Sequence, residues 1–153
     1  PSTSLNGTTI WDQTMKPEAS FSARVRAGLL PYGADIERIE NRVNLGIPDM
    51  LVGVLDKFVL LELKVVDRGL KVSLRPHQIA FMTRQSAKGR PCFVLVLQSG
   101  GTTLRPAMIH LYRGRDVIDL AAHGLRLPAL RSWASRGMPW GELFELLSET
   151  ETP

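Results

Sequence analysis

Cysteine is nearly absent from these 153 residues: Cys92 stands alone, which excludes an internal disulfide framework and any cysteine-rich zinc module. Long apolar runs are missing too. The longest, Phe58 to Val66, is interrupted by Glu62 and Lys64 and falls far short of the roughly 20 residues a membrane-spanning helix needs. Pro1 to Met15 lack the charged-then-apolar layout of a signal peptide. A reducing, cytoplasmic setting is the expectation. His77, His110 and His123 lie far apart with no two-histidine metal spacing, and Gly100-Gly101 lacks the Lys-Ser/Thr of a phosphate loop. Lysine is scarce, since 14 of the 19 basic residues are arginine, the better side chain for bidentate phosphate contacts.

What is present fits one globular domain. Hydrophobic residues at 44% and charged residues at 22% argue against wholesale disorder. The net charge of +4 is a mild pull towards polyanions and no proof of one. Acids bunch at Glu142, Glu145, Glu149 and Glu151, so the preceding chain is more basic than the total.

Along the chain, residues 1–16 read as a loose arm. Pro17 and Glu18 open a helix whose Phe21, Val25 and Leu29 form one apolar stripe, closed by Pro31 and Gly33. Ala34 to Val43 reads as a strand. Met50 to Leu55 and Phe58 to Val66 read as a hairpin turning at Asp56-Lys57, and Asp67 to Ser73 as a polar, basic connection. Pro76 opens a second helix, with Ile79, Met82 and Phe81 inward and Lys88-Gly89 closing it. Cys92 to Leu97 has the near-continuous apolar pattern of a strand covered on both faces. A loop at Ser99 to Thr102, a strand at Ala107 to Tyr112, and two or three short helices between Asp116 and Ser148 complete the chain. The expected class is α/β, a mixed central sheet flanked by helices. Its core spans 17–113, and 114–153 form a C-terminal helical extension packed on the same domain.

Two charges break the most apolar strand. Alternation puts Glu62 and Lys64 on one face with Leu60 and Val66, and Leu61, Leu63 and Val65 on the other. Two readings are open: a solvated face, where Glu-x-Lys is ordinary, or a partly buried site, where unpartnered charges are costly and signal function. A hairpin turning at Asp56-Lys57 sets Asp49 opposite Lys64 and a diagonal step from Glu62. Two carboxylates and an ammonium then meet at one end of the sheet, a hard-oxygen set suited to Mg²⁺ or Mn²⁺. Such an ion lowers the pKa of an attacking water, and Lys64 can orient that water or stabilise developing charge.

Pro48-Asp49, with Glu62-Leu63-Lys64 starting thirteen positions after the aspartate, resembles the core motif of the PD-(D/E)XK nuclease superfamily. Arg38-Ile39-Glu40-Asn41 and Gly46-Ile47 before it, and Leu74-Arg75-Pro76-His77-Gln78 after it, resemble the small phage and bacterial virus-type replication-repair nucleases, which are related to Holliday-junction resolvases. The resemblance runs from about Pro17 to Leu97; the tail after Ala107 falls outside it.

The resemblance implies a restriction-endonuclease-like core of order αβββαβ, with Mg²⁺ (Mn²⁺ substituting) held by Asp49, Glu62, Leu63 and Glu18. Lys64 becomes the catalytic lysine, and Gln78 fixes the site or contacts substrate. Glu18 is equally well read as a surface acid satisfying the helix dipole, and Glu40 as a further acid or a partner for Arg38 or Arg42. Arg24, Arg68, Lys71, Arg75 and His77 are candidate DNA contacts, each also readable as a solvated charge or, for His77, an exposed helix-start residue. Trp133, Trp140, Leu143, Phe144 and Leu147 could pack as a helical cap or form a dimer surface.

The function so implied is a metal-dependent DNA endonuclease, hydrolysing phosphodiester bonds with a metal-activated water and selective for branched DNA such as a Holliday junction. It would act as a homodimer, in the bacterial host cytoplasm if the gene is a phage's. The alternatives are a nicking or flap nuclease of repair or phage DNA breakdown, a non-catalytic DNA-binding module on the same fold, and a structural protein whose Glu62–Lys64 pair is a surface salt bridge.

Overall fold

A computed structural model describes residues 17–40, 46–100 and 105–149. The arm expected over 1–16, the end of the strand expected to reach Val43 and part of the Ser99–Thr102 loop lie outside them.

Helix α1 (Pro17–Leu29) carries Phe21, Val25 and Leu29 at four-residue spacing, and all three are buried. A 3-10 turn at Leu30–Tyr32 follows, and Gly33 adopts a left-handed φ of 89° that ends it. The strands β1 (Asp35–Arg38), β2 (Met50–Val54), β3 (Lys57–Val66), β4 (Cys92–Gln98), β5 (Met108–Arg113) and β6 (Arg131–Ala134) form one sheet in sequential order. Its β3–β4 pair is parallel, bridged by α2 (Pro76–Ala87); the other four pairs are antiparallel.

Alternation along the strands divides the apolar residues into two layers. Leu61, Leu63, Phe93, Leu95, Ile109 and Leu111 pack under α1 and α4 (Trp140–Ser148). Val66, Val94, Val96 and Tyr112 pack under α2 and α3 (Val117–His123). Strand β4 contributes to both cores, which is why its sequence is apolar without alternation. The element order through β4 is αβββαβ, within a mixed α/β fold.

Three expectations are corrected. The hairpin turns at Leu55-Asp56, one residue earlier than Asp56-Lys57, with Val54 paired to Lys57 and Met50 to Leu61. Extended by one place, this register sets Asp49 opposite Glu62 and not Lys64. The cause is Leu55, which takes the left-handed φ of 53° that a two-residue loop demands and stands 77% exposed. The first strand is shorter than expected, covering Asp35–Arg38. The extension after 113 is not all helical: β6 pairs with β5 and widens the sheet. Trp133 on β6, with Leu143 and Leu147 on α4, is buried in the core layer under α1.

Candidate active site

The site lies where β3 outruns its neighbour. Strand β3 has ten residues and β2 has five, so among the described residues the β2–β3 ladder ends at the Met50–Leu61 pair. Extending the antiparallel alternation places Pro48 across from Leu63. Proline has no N–H to donate, so the Leu63 carbonyl receives none from it. The Leu63 N–H is instead taken by Asp49, whose Oδ2 accepts it at 2.9 Å. The N–H and C=O of a strand residue point to the same flank, so the Leu63 carbonyl faces the side on which Asp49 sits. Gly46 lets the approach to Asp49 lie close to α2: a Cβ there would stand 2.7 Å from the His77 carbonyl oxygen.

Glu62 is buried, with 2% of its surface exposed, which decides against the solvated-face reading of the Glu62–Lys64 pair. Its Oε1 accepts a hydrogen bond from Gln78 Nε2 at 2.8 Å and lies 3.5 Å from Lys64 Nζ. Among the described residues, its Oε2 is buried without a hydrogen-bond partner. Burial, and then the neighbouring Asp49 carboxylate, push its pKa from 4.5 up to about 8, against the opposing pull of Lys64.

Gln78 organises the rest. It sits in the first turn of α2 and is itself buried. Its Oε1 accepts from Lys64 Nζ at 3.2 Å and from the Arg75 backbone N–H at 3.0 Å. One amide thus ties the glutamate, the lysine and the start of α2 together. Glu18, Lys64, Lys71 and Arg75 line a pocket of about 320 Å³ beside this cluster.

Asp49, the orphaned Glu62 oxygen and the Leu63 carbonyl are hard oxygen donors, the set that suits Mg²⁺ or Mn²⁺. An unpartnered buried carboxylate oxygen next to a second carboxylate is also what a divalent cation would relieve. Among the described residues, no group of three His, Cys, Asp or Glu side chains converges, so Glu18 shares the pocket of Lys64 without forming a carboxylate trio.

The remaining candidates are placed as follows. Lys71 and Arg75 line the pocket of Lys64. Arg68 lines a different hollow, with Arg105 and Gln98. His77 is exposed at the start of α2, and Glu40 is exposed just beyond β1. Arg24 is not brought to the site. It donates to Ser135 Oγ and to the Ser135 carbonyl, both at 2.8 Å, and its guanidinium lies 5.8 Å from the Trp140 ring centroid. It clamps α1 to the segment after β6. Arg131 is paired with Glu142 at 2.6 Å. Arg126 and His123, without a sequence signal, stand in a cavity that shares Lys71 with the site.

No protein-family model matches the chain, and no curated protein does either. Among solved structures, the chain resembles Hjc, a Holliday junction resolvase from the archaeal hyperthermophile Archaeoglobus fulgidus. The two are 13% identical with a TM-score of 0.47, over 63% of this chain and 76% of that one.

Proposed function

We propose that this protein is a divalent-metal-dependent DNA endonuclease that hydrolyses phosphodiester bonds. The observation that carries the reading is the buried, unpartnered Oε2 of Glu62 with Asp49 beside it and Lys64 held by Gln78. Asp49, Glu62 and the Leu63 carbonyl would hold Mg²⁺ or Mn²⁺. Such a cation, when bound, polarises a phosphoryl oxygen and lowers the pKa of water.

The chain's own residues do the rest. Asp49 and Glu62 supply the negative charge that draws in a cation, and burial strengthens that interaction. Lys64, only 13% exposed at its side chain, presents a positive charge that can orient the attacking water or stabilise charge developing on the phosphate. Gln78 keeps the lysine at the site by accepting a hydrogen bond from its ammonium. Lys71 and Arg75 offer charge to the substrate backbone, positioning DNA without reading sequence. Preference for branched DNA and action as a homodimer rest on the sequence resemblance alone.

One observation favours a second reading, a DNA-binding module without catalysis: among the described residues, no third acidic side chain joins Asp49 and Glu62 at the centre. Cleavage of labelled four-way junction, flap, duplex and single-stranded DNA in Mg²⁺ or Mn²⁺ separates the two. Cutting by wild type, lost in Lys64→Ala and Asp49→Asn while binding persists, supports the nuclease, and the best substrate names its subtype. Binding without cutting in either metal overturns it in favour of the module.

A further inference from the structure

Lys71 belongs to two hollows. One is the pocket of about 320 Å³ with Glu18, Lys64 and Arg75; the other is a cavity of about 580 Å³ that also holds His123 and Arg126. Ala121 likewise lines both, so the two adjoin across a shared wall. The rest of the larger one's wall is Gly69, Leu70, Ala122 and Gly124, with no acid among the described residues.

The chain holds this arrangement in place. Leu125 donates its backbone N–H to the Leu70 carbonyl at 2.8 Å, fastening the loop that bears Lys71 to the segment that bears Arg126. Gly124, at φ 59°, makes the approach possible: a Cβ there would stand 2.1 Å from the Leu70 oxygen. Among the described residues, neither Lys71 nor Arg126 has an ion-pair partner. Arg131, by contrast, is paired with Glu142. Lys71 and Arg126 are exposed side chains lining one hollow, and basic groups there without a counter-charge give it a positive potential that favours an anion.

We propose that Arg126 and His123, together with Lys71, form a second phosphate station for the DNA backbone, next to the site of Asp49, Glu62 and Lys64. The inference rests on the nuclease reading and deepens it. The guanidinium of Arg126 offers a fork for two phosphate oxygens, and His123 adds a ring N–H donor. A backbone leaving the Lys64 pocket past Lys71 reaches this station next, so the segment from α3 onward takes part in holding substrate.

The test is fluorescence anisotropy of labelled four-way junction and duplex DNA, with Ca²⁺ replacing Mg²⁺, over a series of KCl concentrations. Arg126→Ala is expected to weaken binding severalfold at low salt. It should also reduce the slope of log Kd against log[KCl] by about 0.9, the share of one phosphate contact. Arg126→Lys should keep most of the slope, and Arg131→Ala all of it. An unchanged slope in Arg126→Ala, or an equal fall in Arg131→Ala, overturns the station. If wild type cuts DNA yet Arg126→Ala keeps the full slope, the station alone is wrong. If the slope depends on Arg126 but no cutting occurs in Mg²⁺ or Mn²⁺, the nuclease reading fails and the station stands as part of a binding module. Wild type that binds neither DNA overturns both.

Discussion

Gln78 donates its side-chain N–H to Glu62 Oε1 at 2.8 Å while its own oxygen accepts from Lys64. A neutral amide therefore sits between the glutamate and the lysine and addresses each with the end that suits it. No other uncharged side chain offers both a strong acceptor and two donors on one rigid plane, save asparagine, which is one methylene shorter.

Gln78→Leu keeps the approximate volume and removes every one of these bonds. It should destabilise the fold by about 1–3 kcal/mol, the cost of leaving buried polar groups unsatisfied, as measured by urea unfolding. A loss below about 0.5 kcal/mol would show that water takes over the role of the amide.

The raised pKa of Glu62 makes stability depend on pH in an identifiable direction. Its carboxyl titrates near 4.5 when unfolded and near 8 when folded, so between those values the folded chain holds a proton that the unfolded chain has lost. The contribution is present in full below about pH 4.5 and is lost as pH rises through about 8, by up to about 1.4 kcal/mol per unit. Unfolding in EDTA across that window should show the decline, and Glu62→Gln should flatten it. Saturating Mn²⁺ should also remove it, because a bound cation replaces the proton. A wild-type profile already flat in EDTA rejects the buried, proton-holding Glu62.

Lys64→Ala removes the ammonium that lies beside Glu62. Under the nuclease reading, its kcat for junction cleavage should fall by about 10²–10³-fold, the scale of losing one preorganised charge-stabilising group. Asp49→Asn keeps an acceptor for the Leu63 N–H but gives up the charge. It should fold normally by circular dichroism and lose Mn²⁺ binding in isothermal titration. Retained Mn²⁺ affinity in that variant would remove Asp49 from the metal site.

Gly124→Ala meets two obstacles at once, a left-handed φ of 59° and the Leu70 oxygen at 2.1 Å. A loss of about 1–3 kcal/mol is expected, accompanied by weaker DNA binding as the Lys71 loop is displaced. Full retention of both would show that this loop relaxes without consequence.

The sequence announced helix starts and the doubly covered strand plainly. Pro17 and Pro76 stand at the first helical positions, and the apolar run of β4 meant two cores before either was seen. The register was hidden because the turn falls on Leu55, an apolar residue where a polar one or glycine is the usual sign; Asp56-Lys57 drew the turn one place late. Strand β6 was hidden for another reason. Four residues with a single buried side chain, Trp133, give no alternation to read. The Glu62–Lys64 pair was legible as an inconsistency, but its burial was not, because that depends on Gln78 arriving from a helix fourteen residues later. Arg126 carried no signal at all; only the fastening of its segment to Leu70 puts it near Lys71.

The strands lie side by side in the order in which they occur in the chain. Each one can therefore dock on its predecessor as it is synthesised, with no need to wedge between two already joined. Among the described strands, β3 and β4 are the pair joined by a crossover, while the remaining neighbours meet in antiparallel fashion, and non-local parallel pairing is the costlier kinetic step. That crossover is also the one that carries Gln78 to Glu62 and Lys64. Pairing at the sheet's centre and delivery of Gln78 to the site thus belong to the same step.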